Sequence, residues 1–190
     1  LPNREVAFGN VTGTTSTSNF QLITGNSLKI GTGTVTGAYG INMGAGSNAS
    51  SYVLNIGGGI VNNRGNVSLI ICESGSEISG SSNANLAVLI GGNNNKIIAG
   101  TDAYGNVIIG VTNTVTSTTK TTTYNRILGN NNTITDALYN NILGFNNSIS
   151  SSGAYSAYNN DIIGYDNSIS TSSTNAVYNK IIGTTNTITG

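Results

Sequence analysis

Histidine and tryptophan are absent from the 190 residues, cysteine, methionine and proline occur once each, and charged residues make up 7%. Each absence excludes something. Without histidine there is no Ser-His-Asp triad, no histidine metal ligand and no H-E-x-x-H protease helix. Cys72 has no partner for an intrachain disulfide, so cysteine usage leaves the compartment open. Seven Lys+Arg against seven Asp+Glu give zero net charge. A nucleic-acid surface is therefore not expected, because duplex affinity rests on neutralising phosphates. No apolar run approaches the roughly 18 residues of a membrane-spanning helix. The opening Leu1-Pro2-Asn3-Arg4-Glu5 is neither a signal peptide nor a start methionine, and suggests a piece of a longer polypeptide.

Asn (31), Gly (26), Thr (25) and Ser (22) fill more than half of the chain. Such a composition resembles disorder, but hydrophobic residues are 37% and the Ile, Val and Leu fall in short regular clusters. Disordered chains lack β-branched residues and carry more charge. Many short strands joined by tight turns explain the pattern better.

Those clusters repeat. YNRILGNNNTIT (124–135), YNNILGFNNSIS (139–150), YNNDIIGYDNSIS (158–170) and YNKIIGTTNTIT (178–189) share one template. The anchoring position is filled by Gly31, Gly44, Gly57, Cys72, Gly91, Gly110, Gly129, Gly144, Gly164 and Gly183, at spacings of 13, 13, 15, 19, 19, 19, 15, 20 and 19. An apolar strand leads into the glycine and a polar turn follows. Then comes Asn-[Ser/Thr]-[Ile/Val]-[Ser/Thr], in which one inward apolar residue sits between two hydroxyls. A linker of variable length closes the unit. Two such strands are not stable alone, but stacked coils hydrogen-bond to one another along an axis.

The pattern predicts an all-β chain: a parallel β-solenoid or β-roll of about ten 13–20-residue coils. Residues 1–26 form a connecting segment, short coils occupy 27–65 and longer ones 66–190. Asparagine columns predict side-chain ladders between coils. The repeated glycine predicts either a positive φ or a close backbone approach.

One expectation concerns assembly. Early coils alternate before the glycine, with Leu28 and Ile30 flanking Lys29, Ile41 and Met43 flanking Asn42, and Leu54 and Ile56 flanking Asn55. Later coils carry two adjacent aliphatics, and adjacent strand residues point to opposite faces. On the phase of the early coils, Ile70, Leu89, Ile108, Ile127, Ile142, Ile162 and Ile181 stand outside. An exposed column of that size predicts packing against other copies of the chain, in a homotrimer.

Ile41-Asn42-Met43-Gly44-Ala45-Gly46-Ser47-Asn48-Ala49 resembles the head repeat of trimeric autotransporter adhesins, and Val6-Ala7-Phe8-Gly9 and Leu28-Lys29-Ile30-Gly31 are similar to it. The match covers residues 27–60, and the later 19-residue coils depart from the shorter family repeat. The resemblance implies a parallel β-roll, homotrimeric association and binding to host surface molecules. The stretch Arg4–Thr14, followed by Leu28–Gly31, is similar to modules of bacteriophage tail fibres. Both comparisons imply an extracellular fibre, on a virion tail or on a cell surface.

Chemistry offers few candidates. Glu73 with Glu77 and Asp161 with Asp166 are paired carboxylates of the kind that hydrolyse glycosidic bonds. Each occupies a repeat position where other coils place Asn, Ser or Lys, which points to solvated side chains, so an enzyme is not expected. A calcium-binding G-G-x-G-x-D signature is missing and Asn-rich loops make weak calcium sites, so neither metal nor cofactor is expected. Cys72 stands in the glycine column as a small buried residue. Tyr39, Tyr52, Tyr124, Tyr139 and Tyr178 lie five residues before the repeat glycine, and Tyr104 and Tyr158 lie six before it. That regularity predicts a stacked structural column. Tyr155 and Tyr165 lie off it and are the candidate contacts for a cell-surface glycan or protein receptor. The longest linkers, 117–123, 151–157 and 171–177, are the segments where such a contact is expected. Hydroxyl rows flanking Val35, Val115, Ile134, Ile149, Ile169 and Ile188 offer a different function, ice binding, which Glu77, Lys96, Ile98 and the uneven coil lengths oppose. The favoured expectation is a non-enzymatic fibre segment that displays or forms a receptor-binding surface.

Overall fold

The computed structural model describes residues 28–30, 41–43, 47–48, 53–58, 60–61, 68–80, 86–152, 156–172 and 174–190. The connecting segment 1–26 lies outside them. Every described strand pairing is parallel, and the strands form sheets of ten, nine and three strands along one axis. The chain is an all-β solenoid with about six full turns, between Ser68 and Gly190. The count of about ten coils is not matched: ahead of Ser68 the described residues, 28–30, 41–43, 47–48, 53–58 and 60–61, do not make up complete coils.

The coil that begins at Asn125 shows how sequence makes the turn. Strand Arg126–Asn130 lies in the first sheet, Thr133–Thr135 in the second and Ala137–Leu138 in the third. Asn131, Asp136 and Tyr139, at the three corners, have φ of 53°, 51° and 57°. Side chains in that left-handed region cost up to about 1–3 kcal/mol each and persist only where surrounding structure enforces them. Here the enforcement comes from inter-coil bonds: Asn131 N donates to Val111 O, Asp136 N to Thr116 O and Tyr139 N to Thr123 O, at 2.9–3.0 Å.

Two columns of aliphatics fill the interior. Ile70, Leu89, Ile108, Ile127, Ile142, Ile162 and Ile181 project from the first sheet. Ile78, Ile97, Val115, Ile134, Ile149 and Ile169 project from the second, with Ile188 partly buried at the end. Burying each large side chain contributes about 1.5–3 kcal/mol. Ala137, Ala157 and Ala176 occupy the narrow third side.

The seven residues expected on the outside are therefore inside, all 5% exposed or less. The expectation is corrected by one strand position. Their successors face outward: Ile71, Ile109, Leu128, Leu143, Ile163 and Ile182 are 38–67% exposed. The error came from treating a polar residue as an outward one. Asn55, two before its glycine, is fully buried and pairs in register with Ile70. At this strand position asparagine is an interior residue.

Two asparagine ladders line the interior corners. In one, the Nδ2 of Asn113, Asn132, Asn147, Asn167 and Asn186 donates to the Oδ1 of the ladder asparagine one coil earlier, at 3.0–3.1 Å. The same Oδ1 accepts the backbone N–H of the later asparagine, and Nδ2 also reaches the next glycine carbonyl, as in Asn132 to Gly144 at 2.8 Å. Asn106, Asn125, Asn140, Asn160 and Asn179 form the second ladder in the same manner. Buried amides satisfied on every side add to cohesion instead of subtracting from it.

Candidate functional site

From Gly110 onward, length variation enters at one corner only. Asn113, Asn132, Asn147, Asn167 and Asn186 each follow their glycine by three residues, while Ala137, Ala157 and Ala176 precede the next glycine by seven. The 15-residue coil passes from Thr135 through Asp136 straight to Ala137, whereas the 20-residue coil inserts 152–156 between its second and third strands. The first and second sheets are thus in unbroken register from Val107 to Thr189.

The outer face of the first sheet is the most distinctive surface. Three columns run along it over the five C-terminal coils. Ile109, Leu128, Leu143, Ile163 and Ile182 form the middle column, all exposed. Val107, Arg126, Asn141, Asp161 and Lys180 line one flank, and Val111, Asn130, Phe145, Tyr165 and Thr184 the other. A shallow depression of about 420 Å³ lies between the middle column and the Arg126–Asp161 flank. Asn141 Nδ2 donates to Asp161 Oδ1 at 2.7 Å.

Tyr165, a candidate receptor contact, belongs to this face. Its ring stacks on Phe145 at a centroid distance of 5.4 Å with planes 2° apart. Tyr155 falls outside the described residues, and the two are not brought together by anything described. Tyr124 and Tyr139 stack at 5.4 Å and 12°, while Tyr158 and Tyr178 meet edge to face. These four of the regular tyrosines thus form coil-to-coil ring contacts, while Tyr39 and Tyr52 lie outside the described residues.

The members of each carboxylate pair stand on different parts of their coil. Asp161 stands on a strand, and Asp166 lies in the polar turn, where it accepts from Asn146 Nδ2 at 2.7 Å. Glu73 is exposed, and Glu77 lies on the second sheet in register with Lys96. Among the described residues no three His, Cys, Asp or Glu side chains are grouped to hold a metal. Cys72 is buried in the glycine column and burial pushes its thiol pKa up.

The sequence pattern gave no prominence to Asp136, yet its carboxylate organises a linker. It accepts from the backbone N–H of Thr118, Thr119 and Lys120 and from both threonine hydroxyls. Burial pushes the carboxyl up, but the hydrogen bonds from Thr118, Thr119 and Lys120 outweigh it and hold the pKa below its ordinary 3.8. A carboxyl lowered on folding contributes stability that is complete above its unfolded pKa and lost as pH falls through the folded one. Asp136→Asn keeps a residue tolerant of positive φ but turns an N–H₂ toward five donors. It is expected to cost about 1–3 kcal/mol at pH 7. In thermal unfolding, the gap between the two proteins is expected to narrow once pH falls below the ordinary carboxylate range. A gap that stays constant with pH would refute the role of the charge.

Comparison with protein-family models, curated proteins and solved structures returns no match.

Proposed function

We propose that the chain is a segment of an elongated, non-enzymatic homotrimeric fibre, extracellular on a virion tail or cell surface, that displays or forms a receptor-binding surface. The carrying observation is the unbroken register of two sheets through coils of 15 to 20 residues. A stack in which each coil contacts only its neighbours behaves as a quasi-one-dimensional rod. Coils can be added without a new fold, and the linker corner varies without disturbing the sheets. Such a corner suits contact with a glycan or protein receptor; Tyr155 in that linker and Tyr165 on the outer face of the first sheet are the candidate contacts.

The rod reading is tested by inserting four further copies of residues 140–159 after Asn159. Small-angle scattering is expected to show a particle about 19 Å longer with an unchanged cross-section, since each coil adds one strand spacing of about 4.8 Å. A thicker particle of unchanged length would overturn the proposal. A second reading, an ice-binding solenoid, is favoured by the in-register rows Thr114, Thr133, Ser148, Ser168, Thr187 and Thr116, Thr135, Ser150, Ser170, Thr189. Uneven coil length does not disturb these rows. Thermal hysteresis of freezing distinguishes this reading from the fibre.

A further inference from the structure

We infer that a break in the tyrosine column, between Tyr139 and Tyr178, is a binding site for a pyranose ring. This rests on the receptor-binding part of the fibre reading and gives it a ligand class and a place.

The break lies in the side chains and leaves the backbone regular. Tyr124, Tyr139, Asn159 and Tyr178 occupy the same corner, with φ of 54°, 57°, 56° and 56°. Tyr139 N donates to Thr123 O, Asn159 N to Leu138 O and Tyr178 N to Tyr158 O, at 2.9–3.3 Å. Of the four residues only Asn159 carries no ring. Toward the N-terminus the column is closed, because a Cβ at Gly105 would fall 2.6 Å from Tyr124 Cδ1, so that ring lies against the glycine. Tyr124 in turn stacks on one face of Tyr139. Toward the C-terminus no described ring contacts Tyr139, which is 51% exposed. The next tyrosine at this corner stands two coils on, about 9.6 Å away along the axis. Tyr158, one residue before Asn159, does not restore the column. It belongs to the third sheet, and its ring meets that of Tyr178 edge to face, with planes 74° apart. The result is a step, with the ring of Tyr139 as its floor and Asn159 in the coil above it.

The ligand class follows from what the step presents. A phenol ring has an electron-rich face. The C–H bonds of a pyranose are polarised by its oxygens and lie favourably against such a face, while its hydroxyls project from the rim. The Asn159 side chain is half-buried and makes no hydrogen bond to any described residue, in contrast to Asn140 and Asn160 of the ladder beside it. Its amide offers both donors and an acceptor, which serve two adjacent hydroxyls. A flat aromatic guest would use the ring and leave the amide idle, whereas a sugar uses both. The corner residues Tyr139, Asn159 and Tyr178 and the strands before them, Ala137–Leu138, Ala157–Tyr158 and Ala176–Val177, carry no charge, which suits a neutral ligand.

Saturation-transfer NMR tests the site with methyl β-D-galactopyranoside and methyl β-D-glucopyranoside, and with glycerol as a polyol that has no ring. At least one of the sugars is expected to bind with a Kd on the order of 1 mM, as suits a small ligand on a single platform. Glycerol is expected to show no transfer. Tyr139→Phe keeps the ring and is expected to hold affinity within about twofold, whereas Tyr139→Ala loses at least about tenfold. Asn159→Ala is expected to weaken binding about 2- to 10-fold, the range for one hydrogen bond. Asn159→Tyr puts into the gap the residue found at this corner in three other coils. It is expected to abolish binding while the circular dichroism spectrum stays unchanged. Failure of both sugars to bind, or binding indifferent to Tyr139→Ala or to Asn159→Tyr, would overturn the inference. Loss on Tyr165→Ser without loss on Tyr139→Ala would also overturn it and would leave the receptor-binding reading standing on the first sheet. The particle length measured on coil insertion is independent of all these outcomes.

Discussion

Gly129→Ala is expected to destabilise the chain by more than about 4 kcal/mol, while Gly183→Ala costs only about 1–3 kcal/mol. The two glycines have nearly the same backbone, with φ of 144° and 137°, a region that side chains rarely adopt. They differ in what lies above them. A Cβ at Gly129 would overlap the carbonyl oxygen of Gly144, whose backbone cannot yield without parting two coils. At Gly183 the nearest atom is Asn186 Nδ2, at 3.3 Å. The first substitution therefore adds a backbone collision to the conformational strain that both share. Chemical denaturation followed by circular dichroism separates them. Equal losses would mean that strain alone explains the glycine column.

Asn132→Ala is expected to cost about 3–5 kcal/mol, against at most about 1 kcal/mol for Asn186→Ala. Asn132 is fully buried, and its amide serves two coils. Nδ2 donates to Asn113 Oδ1 and Gly144 O, and Oδ1 accepts from the N–H and Nδ2 of Asn147. Truncation leaves several groups without a partner where water does not reach, and each buried orphan costs about 1–3 kcal/mol. Asn186 sits at the exposed end of the same ladder and donates only to Asn167. Water replaces what its loss removes. Comparable losses in the two variants would show that the ladder contributes little beyond filling space.

The architecture was legible because its constraints recur in every coil. Glycine marks the close backbone approach, asparagine marks the ladder, and an aliphatic between two hydroxyls marks the second strand. The phase of the first strand was harder to see. Ile162-Ile163 and Ile127-Leu128 offer two aliphatics of equal hydropathy, and apolarity does not say which one is inside. The alternation at Leu54-Asn55-Ile56 pointed the wrong way because Asn55 is interior. A usable signal lay in the later coils. Arg126, Asp161 and Lys180, three before their glycines, belong outside on grounds of charge, and strand parity then sends Leu128, Ile163 and Ile182 outward with them.

Candidate contacts were less legible than the fold. Tyr165 lies off the tyrosine column, but its stacking on Phe145 depends on two coils of different length meeting in register. Asp136 shows the same limit. Its five donors come from 16 to 18 residues earlier, and nothing in the local sequence around 136 announces them.

The asparagine ladders also give the stack a direction. Each Oδ1 accepts from the coil that follows it in sequence, through both a backbone N–H and an Nδ2. A coil already in place therefore offers the emerging chain two aligned carbonyl acceptors, one at each ladder, before that chain has folded. Each new coil completes the bonds of the one beneath it and exposes an identical pair of acceptors above. Every added coil thus meets a ready-made row of partners on its neighbour, and the first coil bears an ordering cost that its successors largely escape.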